Sequence, residues 1–156
     1  MKKAYLYTGV ILFSGYLLQG VLNLQWKYLA NLQLDESFKR WSGSALFVFI
    51  AMQWLLTLFR IKKWDSIALK AMKIHRWMGA VSPLVFYVHS MELGFGFLLI
   101  LSITFFANVL LGFFHVTIIK VKANWYLQAW MIFHVAFSLF ISMLAIYHIW
   151  IVFYYQ

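Results

Sequence analysis

Residues 75 to 89 read His75-Arg76-Trp77-Met78-Gly79-Ala80-Val81-Ser82-Pro83-Leu84-Val85-Phe86-Tyr87-Val88-His89. Two histidines bracket an apolar run, fourteen residues apart. The same interval separates His134 from His148. On an α-helix, fourteen residues rise ~21 Å and fall about 40° short of four full turns. Each pair therefore shares one helix face at two levels. An imidazole in a membrane helix is costly without a partner, so two matched pairs demand an explanation.

The surroundings of these pairs set the class of protein. The chain has 156 residues, the length of one domain. Apolar residues make up 65% of it and charged residues only 11%. So few charges cannot cover so much apolar surface in water, which predicts an all-α, polytopic integral membrane protein. There is no cysteine, which excludes disulfides, cysteine-ligated iron–sulfur clusters and thioether-attached haem on this chain. The net charge of +9 does not indicate nucleic acid, because the basic residues sit between apolar spans and line no groove. Aromatic residues reach 21%, suited to a membrane-interface belt and to packing on a flat macrocycle.

Taken in order, the chain predicts five spans, over about 4–24, 42–59, 66–91, 97–119 and 125–155. The first follows Met1-Lys2-Lys3; it is too long for a signal-peptide core and no cleavage pattern follows it. Gly9, Gly15 and Gly20 there suit close helix approach. Trp26 to Trp41 is polar enough to leave the membrane, with Asp35 and Glu36 placed to cap a short interfacial helix. Asp65 or Ser66 is the expected cap of the third helix. Pro83 should kink that helix near residues 79 to 83. Gly94 and Gly96 mark a tight turn, and His115 is placed near the end of the fourth span. The fifth is long enough to tilt or to project past the bilayer.

Orientation follows from lysine and arginine. With the N-terminus in the cytoplasm, the inner segments hold Lys2, Lys3, Arg60, Lys62, Lys63, Lys70, Lys73, Arg76, Lys120 and Lys122, and the outer ones Lys27, Lys39 and Arg40. Five spans then put the C-terminus outside. Helices three and five run parallel, so His75 and His134 share the inner level and His89 and His148 the outer. Four turns leave room for two stacked porphyrins in a hydrocarbon core ~30 Å thick. The expectation is two haem b groups, one iron held by His75 and His134, the other by His89 and His148. Gly79 and Ser138, each one turn beyond a histidine, are small enough to admit a porphyrin edge. Arg76, Lys73 and Lys120 are placed for propionates, although snorkelling toward headgroups also explains Lys70, Lys73 and Arg76. The second nitrogen of each ring needs an acceptor, commonly a carbonyl one turn back; the Pro83 kink would free that of Gly79. His115 has no partner at the interval and reads as structural or propionate-contacting. Glu92 reads as a solvated loop acid, with a proton acceptor for quinol as the alternative.

The His75-Arg76-Trp77-Met78-Gly79 sequence, with His89 fourteen residues on, resembles the ferric-reductase-like transmembrane cytochromes. The likeness covers roughly residues 70 to 156. It implies two b haems held by paired histidines on two helices separated by one helix, and so the ligands His75, His89, His134 and His148. Cytochrome b of the quinol-oxidising bc-type complexes shows a similar paired spacing.

The function expected is transmembrane electron transfer, as the membrane cytochrome subunit of a larger oxidoreductase in the plasma membrane. The residues carry no glycine-rich dinucleotide fingerprint and no strand pattern to hold one. Redox partner subunits, or a quinone, are therefore expected to load and unload the haems. A quinol-oxidising or quinone-reducing cytochrome b is the nearest alternative. A metal-ion transporter fits less well, because such sites gather ligands at one depth, often with carboxylates, and no acid falls within a span. A structural anchor subunit is the remaining rival.

Overall fold

The computed structural model describes residues 4–115 and 123–155, and all regular structure among them is helical. The described residues form seven helices: α1 (Ala4–Val21), α2 (Lys27–Leu32), α3 (Glu36–Gln53), α4 (Leu55–Ile61), α5 (Asp65–His89), α6 (Phe97–Phe113) and α7 (Asn124–Tyr154). They form two compact units, Met1–Glu92 and Leu93–Gln156.

Local chemistry decides where these helices start and stop. α1 ends in a Schellman turn: Asn23 takes a left-handed φ of 50° while the Asn23 and Leu24 amides donate back to Gly20 and Gln19. α4 ends the same way. Lys63 has φ 56°, and the Lys63 and Trp64 amides donate to the carbonyls of Arg60 and Phe59. Asp35 does not cap a short interfacial helix. Its carboxylate accepts from the Phe38 amide at 2.7 Å and so starts α3 at Glu36, six residues before the expected Ser42. The short helix is α2, which lies before it. Neither Asp65 nor Ser66 caps α5. Trp64 holds that position without a side-chain bond, and Asp65 is the first helical residue, where its charge suits the helix dipole.

α5 continues through Pro83 to His89. A proline at this position denies a backbone donor to the Gly79 carbonyl. The Ser82 hydroxyl donates to that carbonyl at 2.7 Å instead. Gly94 and Gly96 both adopt positive φ, as the tight turn requires. α6 stops at Phe113, so His115 lies beyond the helix rather than within it; residues 116–119 of the expected span, like Lys120, lie outside the described residues.

Among the described residues, three helical stretches are long and apolar enough to cross a membrane: Ala4–Val21, Glu36–Ile61 and Asn124–Tyr154. The middle one joins α3 and α4 across Trp54. α5 has the length, 25 residues, but its first half carries Lys70, Lys73 and Arg76. α6 is an apolar helix but only 17 residues long.

In the first unit, α5 is the central helix and packs on α1, α3 and α4. Tyr16 of α1 meets Phe86 edge-on at 5.5 Å between ring centroids. The last turn of α5 leaves carbonyls without helical partners, and Gln33 supplies them. Its Nε2 donates to Tyr87 O at 2.8 Å and Val88 O at 3.0 Å, while the Met91 amide donates to its Oε1 at 3.2 Å. The Gln19 amide donates to Met91 O at 2.8 Å. In the second unit α6 packs along α7, tied by the Asn108 amide donating to the Ser138 hydroxyl at 2.9 Å.

Replacing Gln33 by Ala leaves two carbonyls and one amide at the end of α5 to find other partners. Unfolding in detergent is expected to be easier by about 1–3 kcal/mol. Hydrogen exchange should quicken first at Met91; equal protection in both proteins would show that the clamp contributes nothing.

Candidate functional site

On α5, His75 and His89 lie on one stripe with Ala68, Ser82 and Phe86, spaced by threes, fours and sevens. Ala68, Ser82 and Phe86 are buried, and both histidines are half-buried. The sequence places the pair on one face, and this is the packed face of α5.

Both rings are met by the α3–α4 helical stretch. His89 Nδ1 lies 3.1 Å from the Ser42 hydroxyl. Its ring also rests on Gly43, where a Cβ would come within 2.9 Å of Cε1. At the other end of α3, the Gln53 carbonyl is a hydrogen-bond partner of the His75 ring. α3 stops at this residue, because the helix is interrupted at Trp54 before α4 resumes at Leu55. Helix C-termini leave carbonyls without intrahelical donors, which is how a backbone oxygen becomes free to meet a side chain. The expected acceptor, the Gly79 carbonyl on α5 itself, is taken by Ser82. The histidine partners thus come from a neighbouring helix, not from one turn back.

Around His75, both amide atoms of Gln53 are shielded from solvent and meet no hydrogen-bond partner among the described residues. Gly79 has open space where a Cβ would stand. The Arg76 guanidinium lies 5.8 Å from the Tyr5 ring centre, and Lys73 is exposed. Glu92 is exposed, as a loop acid should be.

In the second unit, His134 and His148 share a stripe of α7 with the buried Ile141 and Ala145. The His134 ring stacks on Trp130, with centroids 5.2 Å apart and planes 11° from parallel. Trp130 is fixed in turn, its indole N–H donating to Leu111 O at 2.7 Å. The His115 ring lies T-shaped to the same indole, with centroids 4.6 Å apart. Ser138 donates to His134 O at 2.7 Å and accepts from Asn108, so its hydroxyl is engaged on the α6 side. His148 lies 6.1 Å from the Phe97 ring.

Each unit holds the two histidines of one pair four turns apart, and no group of three or more His, Cys, Asp or Glu residues gathers among the described residues. No single ion can be shared along one helix at that spacing. The sequence alone does not single out Ser42, Gly43, Gln53 or Trp130. Ser42-Gly43-Ser44 is a run of small residues and Gln53 a polar residue in an apolar stretch, but which helix they face is a matter of packing.

Comparison with known proteins returns no match: neither a protein-family model, nor a curated protein, nor a solved structure corresponds to this chain.

Gly43→Ala puts a methyl group into the His89 ring. The ring ends a side chain that can rotate, so the protein should still fold, with a stability loss of about 1–3 kcal/mol from overpacking. Thermal unfolding of the purified protein measures it. A variant as stable as the parent would mean that the contact is loose.

Proposed function

We propose that this chain is the membrane cytochrome of a larger redox assembly, binding two haem b groups without covalent attachment. His75 and His134 are the axial ligands at the inner level, His89 and His148 at the outer. The observation that carries this reading is that two histidine pairs share one fourteen-residue interval, each on the packed face of its own helix.

The donor set supports it. The four rings lie among apolar residues, and the four acids of the chain, Asp35, Glu36, Asp65 and Glu92, belong to helix starts or loops. A bare divalent ion would lack a counter-charge there, whereas iron in a porphyrin arrives with its equatorial nitrogens. Bound between two histidines, such a group supplies one-electron transfer with no open coordination position. The likeness of residues 75 to 89 to the ferric-reductase-like cytochromes points the same way.

The protein's own part is to hold and orient. α5 and α7 fix the separation of the two levels, and the α3–α4 stretch orients both rings of α5. Gly79 leaves room for a macrocycle edge, and Arg76, Lys73 and Lys120 are placed for propionates. Ser138 contributes bulk rather than its hydroxyl, which is engaged by Asn108. The accompanying topology is five spans in the plasma membrane, with the N-terminus in the cytoplasm and the C-terminus outside. Electrons arrive and leave through redox partner subunits, since an iron closed by two histidines binds no substrate.

A reduced-minus-oxidised optical spectrum with acid–acetone extraction tests the reading. Two extractable haems per chain are expected; haem near zero in carefully purified protein would sink it. Replacing His89 or His148 by Ala should remove the same haem and largely spare the other. Loss of a common haem from His89→Ala and His134→Ala would overturn the pairing and the parallel helices behind it.

A further inference from the structure

We infer that Ser42 is the positioning residue that fixes the tautomer of His89, and so selects which ring nitrogen is offered to a ligand. A serine hydroxyl has one proton to donate and two lone pairs. The Ser42 oxygen lies 3.2 Å from Lys39 O, the carbonyl three residues back on α3. A carbonyl can only accept, so the hydroxyl proton is directed there. The same oxygen lies 3.1 Å from His89 Nδ1. With its proton committed to Lys39, Ser42 meets the ring as an acceptor, and Nδ1 must bring the hydrogen. A neutral imidazole has one N–H, so Nε2 carries the lone pair. A metal takes the nitrogen that bears the lone pair, and the hydrogen bond at the other nitrogen decides which one that is.

The packing around the ring allows this assignment. Gly43 lets the ring lie against α3, since a Cβ there would stand 2.9 Å from Cε1. The His75 ring likewise meets an acceptor from this stretch, the Gln53 carbonyl. α3 thus gives an acceptor to both rings of α5 while carrying no histidine itself. The identity of the metal as haem iron rests on the proposed function; the tautomer does not.

The first test uses haem-free protein with ¹⁵N-labelled histidine in detergent micelles, read by long-range proton–nitrogen correlation. His89→Gln identifies the signal by its loss. The wild type and Ser42→Thr, which keeps the hydroxyl, are expected to show the Nδ1–H form at His89. Ser42→Ala should shift the population toward Nε2–H. A wild type in the Nε2–H form, or a tautomer unchanged in Ser42→Ala, overturns the inference. The second test uses haem-loaded protein. Losing the acceptor makes the ring a weaker electron donor, so Ser42→Ala should raise the midpoint potential of one haem only and move its low-spin EPR signal, with Ser42→Thr restoring both. Unchanged potentials and signals would overturn the link to ligation. If the wild type takes up no haem while the tautomer still responds to Ser42, the proposed function falls and the tautomer assignment stands.

Discussion

A neutral imidazole carries a donor and an acceptor together, and an apolar helix face supplies a partner for neither. Much of the first unit can be understood as an answer to that constraint. The backbone of α5 has little to give, since its carbonyls are used within the helix. Where Pro83 leaves one over, at Gly79, the Ser82 hydroxyl takes it. The acceptors come instead from two kinds of interruption in the neighbouring stretch: a hydroxyl in the small-residue run at Ser42, and a carbonyl at the helix break before Trp54. The same accounting continues past His89, where the amide of Gln33 meets backbone groups that no further turn of helix can serve. Oriented rings, a broken second helix and a clamped helix end are three consequences of one shortage.

Helical periodicity makes part of this legible in the sequence. Fourteen residues return close to the same azimuth, so the shared face of His75 and His89, and that of His134 and His148, follow from number alone. Helix existence is equally plain from the apolar runs, and Gly94 and Gly96 announce their turn. What periodicity does not carry is the rotation of one helix against another. Ser42 and Gln53 are ordinary positions in an apolar run until α3 is seen to turn them toward α5. Asp35 reads as a cap, but of the wrong helix, because a cap signal fixes a start and not the length of the helix beyond it. Ser138 stands out in the sequence only for its size. Its hydroxyl, which meets Asn108, can be assigned only once α6 lies alongside.

Hydropathy is a partial guide for a related reason. It measures how well a helix tolerates lipid on all sides, and α5 is not surrounded by lipid on all sides. It packs against α1, α3 and α4, so residues such as Lys70, Lys73 and Arg76 lower its apolar character without exposing its packed stripe. A helix at the centre of a unit is where an apolar pattern is least needed and polar chemistry is most easily housed.

The proline in the middle of α5 has a mechanical side. Between the two histidines, one backbone hydrogen bond is replaced by a bond from the Ser82 side chain, which can lengthen or swing without unwinding a turn. A continuous helix transmits a push at one end faithfully to the other. A helix with one compliant joint does so less stiffly, and each half can settle against its own neighbours. His75 and His89 sit on opposite sides of that joint. Two rings borne by a single rod thereby gain a measure of independent adjustment.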